Sequence, residues 1–210
     1  MAASTSSSSP CAVRPEAPAR RVALRACAAW LAGWLLPCRG DDAVPRPPAC
    51  VEHAFGAARL SGSAELRWWG LDIYRAWLWV GPRGLDPEHL GAQPFALELR
   101  YARSLRGADI ADKSAELIAR LGLGSAAQRQ AWRERMRALF PDVREGDTLV
   151  GLYLPDAPGG ARSRFVFNGR DLGGIGGRDF AEAFFAIWLS PRSSEPALRQ
   201  ALLAGLERAR

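Results

Sequence analysis

The sequence contains few of the residues that most often carry metal binding or nucleophilic catalysis. Its 210 residues include only two histidines, His53 and His89, and four cysteines. All four cysteines lie before residue 51, so the rest of the chain offers neither a disulfide framework nor a thiolate nucleophile. The two histidines are far apart and have no acidic or cysteine companion at ligand spacing. We therefore expect neither a metal site nor a histidine-based catalytic site.

Lysine is nearly absent as well, because 27 of the 28 basic residues are arginines and Lys113 is the exception. The formal net charge is +6, but residues 1–40 supply most of it, with five arginines against Glu16 alone. Residues 41–210 hold 23 basic and 21 acidic side chains. Such a balance gives no basic stripe for a phosphate backbone, so we expect no nucleic-acid partner.

Long apolar runs are also missing. None reaches the roughly 18 residues that a membrane-spanning helix needs, so we expect no stable membrane span. The glycines at 173, 174, 176 and 177 do not form a phosphate-binding G-x-G-x-x-G that opens a helix within a βαβ unit. Their pattern indicates a hairpin end and a loop, and we expect no cofactor.

The first 50 residues differ in composition from the rest. Residues 1–20 consist mainly of Ala, Ser, Pro and Arg and predict disorder. Arg20-Arg21 then precede the apolar stretch 26–37, an order typical of a secretory signal, and a Pro-rich linker follows at Pro45–Pro48. We therefore expect an exported or periplasmic protein whose domain covers residues 51–210. The alternative is a cytoplasmic protein with a start codon placed too far upstream.

Alternation with a period of two predicts several strands in this domain. Residues 65–80 are rich in aromatic and β-branched side chains, and Gly70 divides them into two strands or one bent strand. Residues 95–101 and 147–155 alternate in the same way. Asn168-Gly169 is a strong hairpin signal, because a type I′ turn needs positive φ at both positions.

Helical periodicity predicts two pairs of helices. The first helix spans 108–121, and a capping box of Ser125 and Gln128 opens the second, which ends at Pro141. Asp179 and Glu182 are expected to cap a third helix with one aromatic face, and Pro196 starts a last helix. The order of strands, helices, strands and helices predicts an α+β fold with a large, mainly antiparallel sheet and helices on one side.

Four segments of the sequence resemble the bacterial chalcone isomerase-like family. They are RWWGLDIYRAWLW (67–79), ALELRYARSLRGADIADKSAELIARLG (96–122), GDTLVGLYLP (146–155) and the stretch from FNGRDLGG to RQALL (167–203). Together they cover roughly residues 60–206 in the family's order. The resemblance implies an open-faced β-sandwich, with a large antiparallel sheet, a helical layer over one face and a ligand cleft between them.

The resemblance also implies where an isomerase would hold its substrate. Plant chalcone isomerases hold a phenolate with a cation and polarise a ketone with hydroxyl donors and a nearby Asn. Here Trp69 stands at the family's Thr, Ile110 and Leu117 stand nearest to its Tyr and Asn, and Arg59 is nearest to its Arg. Three of the four polar roles are empty. Because loss of one oxyanion donor typically costs on the order of 100- to 1,000-fold in rate, we expect a non-catalytic protein.

Some relatives of chalcone isomerase bind fatty acids without chemistry and hold the carboxylate with an Arg and a Tyr. By this resemblance we expect a small apolar or acyl ligand in the cleft, for which one cation and an apolar wall suffice. The candidate ligand-binding residues are Arg59, Arg67, Trp69, Tyr74, Arg100 and Tyr101, with Tyr153 as a further hydroxyl.

Two alternatives stay open at this point. One is an active isomerase, of the intramolecular lyase type, whose polar groups come from other positions, such as Asp72, Arg100 or Tyr101. The other is a structural or partner-binding domain whose cleft is filled by its own aromatic side chains. The sequence indicates neither the ligand nor the oligomeric state.

Overall fold

The computed structural model describes residues 45–207. The tail before residue 45, including the predicted signal segment at 26–37, lies outside the described residues. The elements are α1 (Ala49–Phe55), β1 (Arg59–Trp68), β2 (Leu71–Val80), β3 (Phe95–Tyr101), α2 (Gly107–Arg120), α3 (Ala126–Leu139), β4 (Thr148–Leu154), β5 (Arg162–Phe167), β6 (Arg170–Gly176), α4 (Arg178–Leu189) and α5 (Pro196–Glu207). Helix α1 begins close to the expected domain boundary at residue 50.

The strands form one antiparallel sheet in the order of the chain, from β1 to β6. Each strand pairs with the next, for example Tyr74 with Tyr101 across β2 and β3, and Leu97 with Gly151 across β3 and β4. The predicted α+β fold with a large antiparallel sheet is confirmed. Gly70 divides the first apolar stretch into β1 and β2, which confirms the two-strand interpretation.

Helices α2 to α5 cover one face of the sheet, and the core between the two layers is mainly aromatic. The Phe185 ring lies 4.8 Å from Phe95 and 5.2 Å from Phe184, and Phe140 lies 5.0 Å from Phe165. Phe180, Phe184, Phe185 and Trp188 share the sheet-facing side of α4 because they recur at helical spacing. The predicted aromatic face of this helix is confirmed.

The opposite face of the sheet is covered in part by α1, which the sequence analysis did not predict. Val51 of α1 is fully buried against the alternate residues of the same strands, including Trp77 and Trp79. The expectation that all helices lie on one side is therefore wrong for this short helix. Its seven residues carry one buried position, so no apolar periodicity marked it in the sequence.

Two further local predictions need correction, while two others hold. Asp179 and Glu182 do not cap α4: the helix begins at Arg178, its N-cap is Gly177, and no side chain caps it. Of the four glycines after residue 172, Gly173, Gly174 and Gly176 are not a loop but belong to edge strand β6, where a Cβ on Gly174 would lie 2.3 Å from the Ser163 carbonyl oxygen. The Ser125–Gln128 capping box and the turn at Asn168-Gly169 are confirmed.

Candidate functional site

A pocket of about 630 Å³ opens at the edge where the helical layer meets the loop between β2 and β3. We call it the α4 groove, because one side of α4 forms its longest wall. Its lining comes from four parts of the chain, which are Pro87–Ala92, Leu123, Pro155 with Asp156, and α4 with the residues that follow it, namely Arg178, Glu182, Ala186, Ser190, Pro191 and Arg192.

One side of α4 lines the groove, and the other side packs in the core. Arg178, Glu182, Ala186 and Ser190 follow one another at four-residue spacing and therefore share one side. The aromatic side chains fix the other side against the sheet, as described above. From residue 178 to residue 190 the helix axis advances by about 18 Å, at 1.5 Å per residue. The groove is therefore elongated rather than round.

The loop between β2 and β3 forms the opposite wall, and several hydrogen bonds hold it. The Tyr153 hydroxyl donates to the Gly91 carbonyl oxygen at 3.1 Å, and the Asp86 amide donates to Gln93 Oε1 at 3.2 Å. A Cβ on Gly91 would lie 2.4 Å from Glu182 Oε1 and 3.3 Å from Arg178 Cδ, so the loop lies directly against these two side chains of α4. The wall is therefore set in position before any ligand arrives.

The rim of the groove carries charges of both signs. Its acidic side chains are Glu88, Asp156 and Glu182, and its cations are Arg178 and Arg192. Within residues 45–207 neither of these arginines forms an ion pair. The less exposed part of the lining is apolar and consists of Leu90, Leu123 and Ala186, and three prolines also line the groove.

Two groups near the groove, His89 on its lining and the buried Tyr153 behind the loop, have shifted pKa values. The hydrogen bond from His89 Nδ1 to Asp86, at 2.9 Å, raises the pKa of the exposed His89 ring. Burial raises the pKa of Tyr153, while the nearby Arg178 cation lowers it in part.

The structure brings two of the predicted ligand-binding residues together. Tyr74 and Tyr101 face each other on β2 and β3 with ring centroids 6.1 Å apart, on the helix-covered side. The Tyr74 hydroxyl accepts a hydrogen bond from Trp188 Nε1 at 2.8 Å, and Tyr101 is only 3% exposed. Burial raises the pKa of both phenols well above their usual value. Neither residue lines the α4 groove.

The other four predicted residues lie apart from this pair and from the groove. Arg100 lies on the opposite face of the sheet, with its guanidinium 5.5 Å from the centre of the Trp77 ring. Arg67 pairs with Asp72 at 2.6 Å, and Trp69 is 88% exposed at the turn between β1 and β2. Arg59 begins β1 opposite Val80. The six candidates therefore do not form a single site.

The groove residues were missed because their signal is weak in the sequence. Arg178, Glu182, Ala186 and Ser190 are spaced by four, which marks one side of a helix but does not say that it borders a cavity. Leu90 lies in a segment with the composition of a turn. Only the structure shows that the loop between β2 and β3 packs beside this side of α4.

The positions that match the polar groups of plant chalcone isomerases hold no hydroxyl. Trp69 projects from a turn, and Ile110 and Leu117 are half-buried on α2. Among the residues that the structure describes, no three His, Cys, Asp or Glu side chains are grouped as metal ligands. In the same part of the chain, no helix is long and apolar enough to cross a membrane.

Comparison with known proteins adds two findings. The sequence model of the family described as chalcone isomerase-like matches residues 59–204. Among solved structures, the chain resembles a fatty-acid binding protein of Arabidopsis thaliana, with 12% sequence identity and a TM-score of 0.49. That match covers 70% of this chain and 86% of the plant protein. No curated protein sequence matches the chain.

Proposed function

The chain belongs to the chalcone isomerase-like family, and we propose that it is a non-catalytic member that binds a small apolar or acyl ligand in the α4 groove. The groove itself carries this proposal. Its volume of about 630 Å³ lies within the usual range for small-molecule sites, roughly 300–1,000 Å³. Its apolar lining and charged rim are the combination that such sites use.

The shape and charge of the groove favour an elongated ligand with an anionic end. The apolar part of the lining supports a chain that lies along α4, and an arginine lies at each end, Arg178 at the start of the helix and Arg192 beyond its last turn. An arginine binds a carboxylate well because its planar fork can donate two hydrogen bonds at once.

The central space between sheet and helices supports the absence of catalysis. The phenylalanine rings of the core lie in contact there, so a flavonoid-sized substrate has no room beside them. The polar groups that would stabilise an enolate are also missing from the matching positions. A loss of several oxyanion donors removes most of the rate enhancement, since each one accounts for roughly 100- to 1,000-fold.

Filling the groove tests the proposal. Ala92→Trp places a large ring at an exposed position of the groove wall, and Ala138→Trp places the same ring on an exposed part of α3 away from it. We expect displacement of a fluorescent fatty acid from the full chain to be at least about tenfold weaker for Ala92→Trp. Ala138→Trp should bind as the wild type does. Equal binding by all three proteins would overturn the groove as the site.

Two more variants identify the polar contact. Arg178→Gln should weaken binding of a fatty acid more than that of the matching alcohol, while Arg135→Gln on exposed α3 should change neither. If Tyr101→Phe weakens binding and Ala92→Trp does not, the ligand lies at the tyrosine pair instead. Loss of chalcone absorbance on addition of the wild type would contradict the non-catalytic assignment.

A further inference from the structure

The turn between β1 and β2 exposes three large apolar side chains next to one another. Trp68 is 66% exposed, Trp69 88% and Leu71 52%. Within residues 45–207 no other large hydrophobic side chain is exposed to this extent. We call Trp68–Leu71 the hairpin tip. The hairpin tip is therefore a small exposed patch of large apolar side chains on the described part of the protein.

A comparison with the hairpin of β5 and β6 shows that the turn between β1 and β2 does not require tryptophan. Both hairpins have two-residue turns with positive φ at both positions, 52° and 75° at Trp69-Gly70 and 47° and 81° at Asn168-Gly169. Asparagine suits this geometry, and its side chain accepts a hydrogen bond from the Thr148 amide at 2.8 Å. Trp69 makes no hydrogen bond within the described chain and occupies a backbone region that disfavours a bulky residue.

Charged side chains begin immediately behind the tip. Arg67 pairs with Asp72 at 2.6 Å, two residues before the turn. Arg103 follows Ala102, whose amide donates to the Ile73 carbonyl oxygen, and Arg103 has no ion pair within the described residues. At about 3.3 Å per residue of strand, Arg67 lies roughly 7 Å behind Trp69. Indole rings at the front with arginines one layer behind match the order of chemistry at a membrane surface.

From this order we infer that the hairpin tip inserts into the interfacial layer of an anionic phospholipid bilayer, with Trp68, Trp69 and Leu71 among the upper acyl chains and Arg67 and Arg103 at the phosphates. The insertion depth needed is about 5–10 Å, which the tip can supply without unfolding the hairpin. A protein partner fits less well, since a stable interface needs about 800 Å² from each side and the tip offers one narrow point.

Charge supports a lipid of this kind. Along residues 65–75 and 100–103 the chain holds four arginines, at 67, 75, 100 and 103, against Glu65 and Asp72. Salt bridges to the two acids engage Arg67 and Arg75, which leaves Arg100 and Arg103 free of ion pairs within the described chain. The local excess of positive charge favours anionic over zwitterionic lipid.

The test uses the full chain and sedimentation with vesicles. One set contains phosphatidylcholine alone, and the other contains phosphatidylcholine and phosphatidylglycerol in equal parts. Trp69→Asn converts the turn to Asn-Gly, so the hairpin should keep or gain stability while binding to the mixed vesicles falls by at least about tenfold. Arg103→Gln should weaken binding to the mixed vesicles only. At high salt, which screens the charges, the fraction of this variant that is bound should differ little from that of the wild type. Arg135→Gln is the control and should bind as the wild type does.

Three results would overturn the inference. The first is wild-type binding by Trp69→Asn, which would assign vesicle binding to another part of the chain, such as the apolar segment 26–37. The second is no binding of the wild type to either vesicle. The third is a concentration-dependent self-association that Trp69→Asn abolishes without any change in vesicle binding, which would make the tip a contact between copies of the chain.

Discussion

The two faces of the sheet are both buried, but they are buried in different ways. Four helices cover one face, and its core is built from rings packed edge to face, such as Phe95 against Phe185. The other face has a smaller apolar cluster, in which Val51 of α1 covers Trp77 and Trp79. It also includes a buried carboxyl group, Glu98, which accepts a hydrogen bond from Trp79 Nε1 at 2.9 Å.

This difference indicates which face determines the fold and which can vary. Removal of a ring from a closely packed layer leaves a cavity that several elements share, while loss of a small contact with one short helix affects mainly that helix. The polar groups follow the same division. The helix-covered face buries its tyrosines among rings, whereas the opposite face carries Glu98 and the guanidinium of Arg100 beside Trp77.

The largest effect is expected from Phe185→Ala. The Phe185 side chain is fully buried, and its ring packs over Gly151 of β4 as well as against Phe95. The cavity should lower the free energy of unfolding by about 3–5 kcal/mol. Val51→Ala, which removes two methyl groups from the only buried position of α1, should cost only roughly 1–2 kcal/mol. Urea unfolding of both variants measures the difference, and equal losses would contradict the ranking of the two faces.

A medium effect is expected where α5 meets β1. A Cβ on Gly62 would lie 2.0 Å from the Ala201 carbonyl oxygen, and Ser61 Oγ donates to the Leu202 carbonyl oxygen at 2.9 Å beside it. Because backbone atoms of the helix would have to move, Gly62→Ala should lower the free energy of unfolding by about 1–3 kcal/mol.

Gly176→Ala is the control for that variant, because a Cβ there meets nothing within 4 Å and its φ is not positive. It should change stability little. Thermal unfolding of the two variants compares them directly. A similar loss in both would contradict the assignment to the contact with α5, because the reduced flexibility of the unfolded chain would by itself make both variants more stable.

The sequence predicted the parts of this comparison that depend on periodicity. The aromatic side of α4 and the alternating strand at 95–101 follow from spacing alone, since each side chain's face is fixed by its position in the repeat. The same alternation separates Arg100 from Tyr101: adjacent residues in a strand point to opposite faces, and the structure places them so. The predicted ligand-binding set combined Arg100 and Tyr101 by residue type, and did not take into account that neighbours in a strand point to opposite faces.

Features that depend on contacts between segments far apart in the sequence could not be predicted from periodicity. The α4 groove needs the loop around Gly91 to rest on Glu182, a contact across about 90 residues that no local pattern encodes. Helix α1 is too short to show a repeat. The start of α4 was placed at the wrong residue because Asp179 and Glu182 have the spacing of a capping box, while the observed N-cap is Gly177, with φ of 102°, two residues earlier.

The smallest effect, and the one that tests the polar character of the second face, is expected from Glu98→Gln. Glu98 is only 8% exposed, and burial raises the pKa of its carboxyl, although Trp79 and the Arg100 cation lower it in part. Because the pKa is higher in the folded state than in the unfolded one, stability falls as pH rises from the ordinary glutamate range through the folded-state pKa. Glutamine keeps an oxygen to accept the Trp79 hydrogen bond but has no proton to lose.

The variant should therefore match the wild type near pH 4 and be more stable at pH 7. Glu145→Gln, at an exposed position, is the control and should leave the pH dependence as it is. Urea midpoints measured across this pH range give the comparison. If the wild type gains on the variant as pH rises, the ionised carboxyl is stabilised by its neighbours. In that case the Trp79 hydrogen bond and the Arg100 cation would outweigh the cost of burial, and the second face would be held by charge rather than by apolar contact.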